Sequence, residues 1–202
     1  MLKPDYITLY EYTIDNRNHI VRVSDNWDSF ETTDQTPDRF SASRILGLSI
    51  WEFIDGDETS LLYETIFKKI RKHLSSVIIP YRCDSPTVRR TLELHISANI
   101  DGSIDFHSYL LQEVGREKVD LLDPSFDRSN EHIRVCSICK KVAVTDSEWV
   151  EIETAISDLG LFTTVKLPQI THGLCPGCYA AAMAELDASS PAQGSSFSSP
   201  GN

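Results

Sequence analysis

Leu62, Ile66, Ile70 and Leu74 recur every four residues, with Tyr63 and Phe67 beside them. That period predicts an amphipathic helix over about 58–74, with Asp57 placed to cap its start. Lys68, Lys69, Arg71 and Lys72 fall largely on its solvated side. Before it, Leu9, Tyr10, Tyr12 and Ile14 and then His19–Val23 read as two short strands around the turn cluster Asp15-Asn16-Arg17-Asn18. Ser24 or Asp25 can cap a short helix holding Trp27 and Phe30, and residues 32–43 are polar and loop-like. Residues 45–54 are densely apolar, broken at Gly47 and closed by the turn Asp55-Gly56-Asp57. After the helix come strand patterns at 77–82, 90–98 and 103–112. In the second of these Leu92, Leu94 and Ile96 alternate with Thr91, Glu93 and His95. The turn Asn99-Ile100-Asp101-Gly102 joins the last two as a hairpin.

This order predicts an α+β domain over residues 1–113, a five-stranded antiparallel sheet with helices on one face. Residues 114–134 are charged, contain Pro124 and read as a linker. Within 135–186 a helix is expected where Asp146 or Ser147 can cap and Trp149, Ile152, Ile156 and Leu159 share a face, with Gly160 as its stop. Leu174–Met183 reads as a turn running into an Ala-rich helix. From Asp187 to residue 202 the chain is Ser, Pro, Gly and Gln, a composition expected to be disordered.

Two C-x-x-C pairs carry the strongest chemical signal: Cys136 with Cys139, and Cys175 with Cys178. Two such loops facing each other can place four sulfurs around one ion, the arrangement of a closed structural zinc site. The 35 residues between the pairs exceed the roughly 12–20 of compact motifs, so the insert must hold an element of its own. The competing use is a thiol–disulfide switch or oxidoreductase, with Lys140 and Lys141 favouring thiolate at Cys139. Neither pair opens the helix of a βαβ unit in the way a redox C-x-x-C does. His172, three residues before Cys175, is a candidate ligand, a candidate donor to a sulfur or a turn residue, the last two being favoured where four cysteines are present.

The formal net charge is −11. It divides into −6 over 1–113 (12 basic, 18 acidic) and −5 over 114–202 (7 basic, 12 acidic). No segment concentrates Lys and Arg, which argues against nucleic acid and against an anionic membrane surface. The first residues form no apolar leader, and no run approaches a membrane span of ~20 apolar residues. A soluble, cytoplasmic protein is expected, where paired cysteines are more often metal ligands or redox groups than structural disulfides.

The stretch from the Ile14-Asp15 hairpin start through the Trp27 helix and Leu46-Gly47-Leu48-Ser49-Ile50-Trp51-Glu52-Phe53-Ile54 resembles a PAS domain, a small sensory fold of signalling proteins. The resemblance covers about residues 8–113. It implies a pocket between helices and sheet, for which Trp27, Trp51, Phe53, Tyr63 and Phe67 are candidates, though aromatics at these spacings are more often plain core. His73 and His95 are remote haem candidates. Cys136-Ser137-Ile138-Cys139-Lys140-Lys141, Trp149 and Thr171-His172-Gly173-Leu174-Cys175-Pro176-Gly177-Cys178 together resemble a zinc-ribbon-like segment found beside PAS, receiver and phosphatase domains of bacteria. That implies a bacterial regulatory protein, and with the PAS resemblance it points to a non-enzymatic sensor or adaptor acting through a protein partner; PAS domains commonly dimerise, so a homodimer is expected. Arg82, Asp84 and Arg89 flank the lone Cys83 at a strand end, either as a rim for a ligand or partner or as a salt-bridged corner. No kinase motif, phosphate-binding Gly-rich loop or Ser-His-Asp set is present.

Overall fold

The computed structural model describes residues 7–29, 40–161 and 166–188. Strands β1 (Ile7–Ile14), β2 (Ile20–Val23), β3 (Ser76–Asp84), β4 (Val88–Ala98) and β5 (Ile104–Gly115) form one antiparallel sheet in the order β2-β1-β5-β4-β3. The β1–β2 turn closes because the Asp15 carboxylate accepts the backbone N–H groups of Arg17 and His19, both at 2.8 Å. Alternation places Leu92, Leu94 and Ile96 of β4 and Ile104, Phe106 and Ser108 of β5 on the buried face. At Thr91/Leu92 the register shifts by one residue, so Thr91 faces Gln112 while Leu92 faces Leu110.

Helix α2 (Asp57–His73) lies across that face, with Leu62, Ile66 and Ile70 at most 1% exposed. Full burial of each such side chain stabilises the fold by roughly 1.5–3 kcal/mol. Asp57 and Glu58 sit in the first turn and Arg71, Lys72 and His73 in the last, both favourable to the helix dipole. Leu74 does not share the buried face: it is the left-handed C-cap, at φ 48°, and is exposed. Asp57 is the first helical residue rather than the cap, which is Gly56. The apolar run at 45–54 folds as the end of α1 (Ala42–Ile45) and a 3-10 turn at Ile50–Glu52, burying Ile45 and Ile50. Trp27 lies in a 3-10 turn, Trp27–Ser29. Phe30 and residues 32–39 of the expected loop lie outside the described residues.

A second sheet, in the order β8-β7-β6-β9, is built by β6 (Arg128–Cys136), β7 (Val142–Ala143), β8 (Trp149–Val150) and β9 (Leu167–Gly173). Strands β6 and β9 are parallel. Helix α3 (Ile152–Asp158) lies between β8 and β9 in the chain, and α4 (Pro176–Ala188) follows β9.

Several segments differ from the sequence reading. The expected linker at 114–134 contains the end of β5, a 3-10 turn at Asp120–Leu122 and most of β6. It is anchored by Val119 and Leu121, 5% and 1% exposed, in a small core with Val135, Val142, Ile152 and Ala155. The start of β6 shows no alternation because its residues are exposed or half-buried throughout. Trp149 is not helical. Trp149 and Val150, an aromatic and a β-branched residue, pair with Ala143 and Val142 as strand. The helix starts only at Ile152, with Glu151 at its N-cap, and Gly160 in the left-handed region follows its end. Asp187, the expected start of the tail, belongs to α4; residues 189–202 lie outside the described set.

The larger core is continuous across both sheets. Cys136, Leu174, Cys175, Ala182 and Leu186 belong to the same buried cluster as Leu62, Ile66, Val77 and Ile96.

Candidate metal centre

Each cysteine pair sits where a strand of the second sheet ends. Cys136 closes β6, and its N–H donates to the Lys141 carbonyl (2.8 Å) while its own carbonyl accepts from the Lys140 N–H (3.0 Å). Lys140 takes the left-handed conformation, φ 62°, that turns the chain back into β7. At the second pair, β9 ends at Gly173 and α4 starts at Pro176, a residue suited to a first helical position because its missing N–H needs no partner there. Cys178 follows two residues later, and its N–H donates to the Cys175 sulfur at 3.4 Å. Cys175 thereby caps the helix with its side chain.

The parallel ladder aligns the two strand ends, with Cys136 opposite Gly173 and the Ser137 N–H on the Gly173 carbonyl (2.9 Å). Parallel neighbours need a crossover of a dozen or more residues. That is the physical reason for the long insert, which carries β7, β8 and α3.

The four sulfurs lie within 4.8 Å of one another, and those of Cys139 and Cys175 are 3.8 Å apart. An ion held at ~2.3 Å by each of four tetrahedral sulfurs requires them to be about 3.8 Å apart. Backbone N–H groups already point at the sulfurs: those of Cys139 and Cys175 at Cys136, and that of Lys141 at Cys139. Such donors stabilise thiolate, the form a metal takes. Cys136 is driven well below the usual thiol range because the Cys139 and Cys178 thiols donate to it. Those same bonds to Cys136 push Cys139 up to about 11 and Cys178 higher. Thiols crowded this closely share protons through hydrogen bonds to one another, a role a divalent cation would take over for all four. Cys136 and Cys175 are buried, and Cys139 and Cys178 are half-buried. The four cysteines could hold a metal ion.

His172 lies in β9 opposite Val135, and its Nδ1 is 3.9 Å from a carboxylate oxygen of Asp55. Burial first, then the Lys140 charge, lower its pKa, with Asp55 opposing. Its backbone carbonyl is the tighter constraint. A Cβ on Gly56, at φ 91°, would lie 2.6 Å from that oxygen, so glycine is required where β9 crosses the start of α2. The Lys140 amine donates to the Ser137 carbonyl at 2.9 Å. Burial lowers its pKa.

Arg82, Asp84 and Arg89 pair within the chain. Asp84 accepts from Arg82 and, at 3.3 Å, from Arg116. Arg82 reaches Glu151 (2.6 Å), and Arg89 reaches Glu153 (3.0 Å). The salt-bridged corner thus joins the far end of the first sheet to the start of α3. Arg116, Glu151 and Glu153 escaped sequence reasoning, since nothing in their local spacing points to Asp84. Cys83 lies beside this corner, its thiol pushed up by burial.

The five aromatic pocket candidates pack on the larger core. Trp51 and Tyr63 meet Phe67 at 5.5 and 5.8 Å between ring centres, and Phe53 meets Phe40 at 6.0 Å. Trp27 sets its edge against Tyr10 and Tyr12 and donates to the Phe40 carbonyl at 2.9 Å. Sequence reasoning missed a half-buried polar chain beside them, Tyr10 to Tyr81 (2.8 Å) and Tyr81 to the buried Ser108. His95 bonds Glu93 at 3.1 Å.

No family model and no curated protein matches this chain. Among the described residues no helix is long and apolar enough to cross a membrane.

Proposed function

We propose that this chain is a non-enzymatic signalling protein, a PAS-like sensor or adaptor stabilised by one structural zinc ion and acting through a protein partner. The observation that carries the reading is the convergence of Cys136, Cys139, Cys175 and Cys178 within 4.8 Å, folded into one core with the first sheet. Zinc is the favoured ion because it takes four thiolates tetrahedrally, and a closed four-sulfur set leaves no open position for water or substrate. The five antiparallel strands with α2 across one face support the PAS-like reading, as does the resemblance of residues 8–113. Bacterial origin is proposed with it on the resemblance of the cysteine segment, a homodimer on the resemblance of residues 8–113, and a cytoplasmic setting on the sequence expectation alone.

The redox reading requires sulfurs to close within each C-x-x-C. Sulfurs meet within each pair, Cys139 with Cys136 and Cys178 with Cys175, and also across them, Cys139 with Cys175 at 3.8 Å, and it is this four-way convergence that favours a shared ion. Metal analysis of protein purified under reducing conditions tests the choice. One zinc per chain, lost in Cys175→Ser, supports the structural site. Metal-free protein whose pairs oxidise and reduce reversibly supports the switch.

A further inference from the structure

The residues between the first two cysteines face the first sheet and its helix. The Ser137 hydroxyl lies 3.0 Å from the hydroxyl of Thr59, a buried residue in the first turn of α2. The Ile138 carbonyl accepts the Arg82 N–H of β3 at 2.8 Å, and β3 is an edge of the first sheet. Both intervening residues of the C-x-x-C are therefore bonded to elements of the first part of the chain. The second pair is tied in as well. The α4 helix that begins beside Cys175 lies against β3 and α2, and Ala182 and Leu186 enter the larger core. A zinc centre whose only task is to hold its own loops has no need of these bonds.

We propose that the four-cysteine site is an input as well as a brace: gain or loss of a thiophilic divalent cation is transmitted to the start of α2 and to the outer edge of β3. The proposal rests on the metal reading above. A cation clamps the Cys136–Cys139 loop in the one shape that presents Ser137 to Thr59 and the Ile138 carbonyl to Arg82. Without it the loop relaxes and both bonds lose their fixed partner. Linkage makes the effect reciprocal: whatever loosens α2 or β3 must weaken the metal by the same factor. The ligand class follows from the four sulfurs, a borderline or soft ion such as Zn²⁺.

The test uses the full chain in reducing buffer, zinc-loaded and then stripped by a chelator, with metal content measured in each state. Amide exchange is read at Arg82, over the first two turns of α2 and over the β1–β5 ladder. Stripping is expected to speed exchange ~10-fold or more at Arg82 and in α2, with a far smaller change in the β1–β5 ladder. Unchanged exchange at both sites despite verified metal loss overturns the proposal. So does an equal loss everywhere, since the ion would then hold the whole fold with no directed route. Protein that never binds zinc overturns the metal reading itself, and the initial metal content identifies that case. A second measurement runs the linkage backwards. Thr59→Val should raise the zinc dissociation constant about three- to ten-fold, the worth of one hydrogen bond, in competition with a chromophoric chelator. Thr65→Val is the control, because its hydroxyl donates to the Leu61 carbonyl within α2, in an exposed hydrogen bond away from the cysteine loop. Equal affinity in the two variants would count against the proposal.

Discussion

Asp84→Ala should be among the most damaging single changes at the junction of the two sheets. The carboxylate is 2% exposed and faces Arg82 and Arg116, whose side chains are 13% and 10% exposed. Arg82, Arg89 and Arg116 balance Asp84, Glu151 and Glu153 in number. Removing Asp84 leaves an excess positive charge where water has little access. Breaking a buried pair from one side costs about 3–5 kcal/mol. Here the arginines keep other partners, since Arg82 retains Glu151 and Arg116 retains Glu153 and the Ser85 carbonyl at 2.7 Å. Glu151 and Glu153 are 39% and 47% exposed, and pairs so open to solvent contribute only about 0–1 kcal/mol each. The net loss should be about 2–3 kcal/mol, or roughly 4–12 °C in Tm for a chain of this size. Asp84→Asn should lose nearly as much, because shape without charge does not neutralise two guanidinium groups. Glu153→Ala should lose less than about 1 kcal/mol. Urea denaturation of the zinc-loaded protein measures all three. A loss below about 0.5 kcal/mol for both Asp84 variants would show that solvent screens the cluster, and the reasoning would fail.

Gly56→Ala should cost more than about 2 kcal/mol, since the new methyl meets the His172 carbonyl at 2.6 Å and φ is 91°; an unchanged melting temperature would contradict the close crossing of β9 over α2. Leu121→Ala should destabilise by about 2–4 kcal/mol, measured by denaturant midpoint, if residues 114–134 are integral to the second core; a true linker would lose nothing. Asp105 is held below its ordinary pKa although burial opposes this, because Asn99 and Thr13 donate to it and Arg22 lies close. Its contribution is therefore present above about pH 4 and is lost as pH falls through the lower folded value, so Asp105→Asn should flatten the acid limb of the stability curve.

The first sheet was legible because its signals are local. Leu92, Leu94 and Ile96 alternate, the α2 face repeats every four residues, and Asp15-Asn16-Arg17-Asn18 is a turn by chemistry alone. The cysteine set was legible because two C-x-x-C pairs announce themselves at any separation. What escaped notice depends on partners distant in sequence. β6 is polar for most of its length, so only its pairing with β9 makes it a strand. Trp149 satisfies a helical period by accident, with Ile152 and Ile156 following at plausible spacing, while its pairing with Ala143 decides otherwise. Asp84 finds Arg116 across 32 residues and Arg82 finds Glu151 across 69. No window of local sequence contains either pair.

The long separation of the cysteine pairs changes what a metal would contribute. In a compact zinc finger the ion supplies most of the folding free energy, because the loops have no other reason to meet. Here the β6–β9 ladder brings the strand ends together, and Val119, Leu121, Val142 and Ile152 give the second sheet an apolar core of its own. That pairing meets much of the ordering entropy of the loops without help from an ion, and N–H groups of Cys139, Lys141, Cys175 and Cys178 face sulfur. Preorganisation of this kind raises affinity, since less of the binding free energy is consumed in building the site. It also relocates the consequence of metal loss. In the Cys136–Lys140 turn Lys140 holds a left-handed backbone without glycine, a strained conformation that a bound ion would help to hold. That turn carries Ser137 and Ile138, the residues bonded to α2 and β3. Loss of the ion should therefore be felt first where the cysteine loop meets the first sheet, while the β6–β9 ladder stays paired.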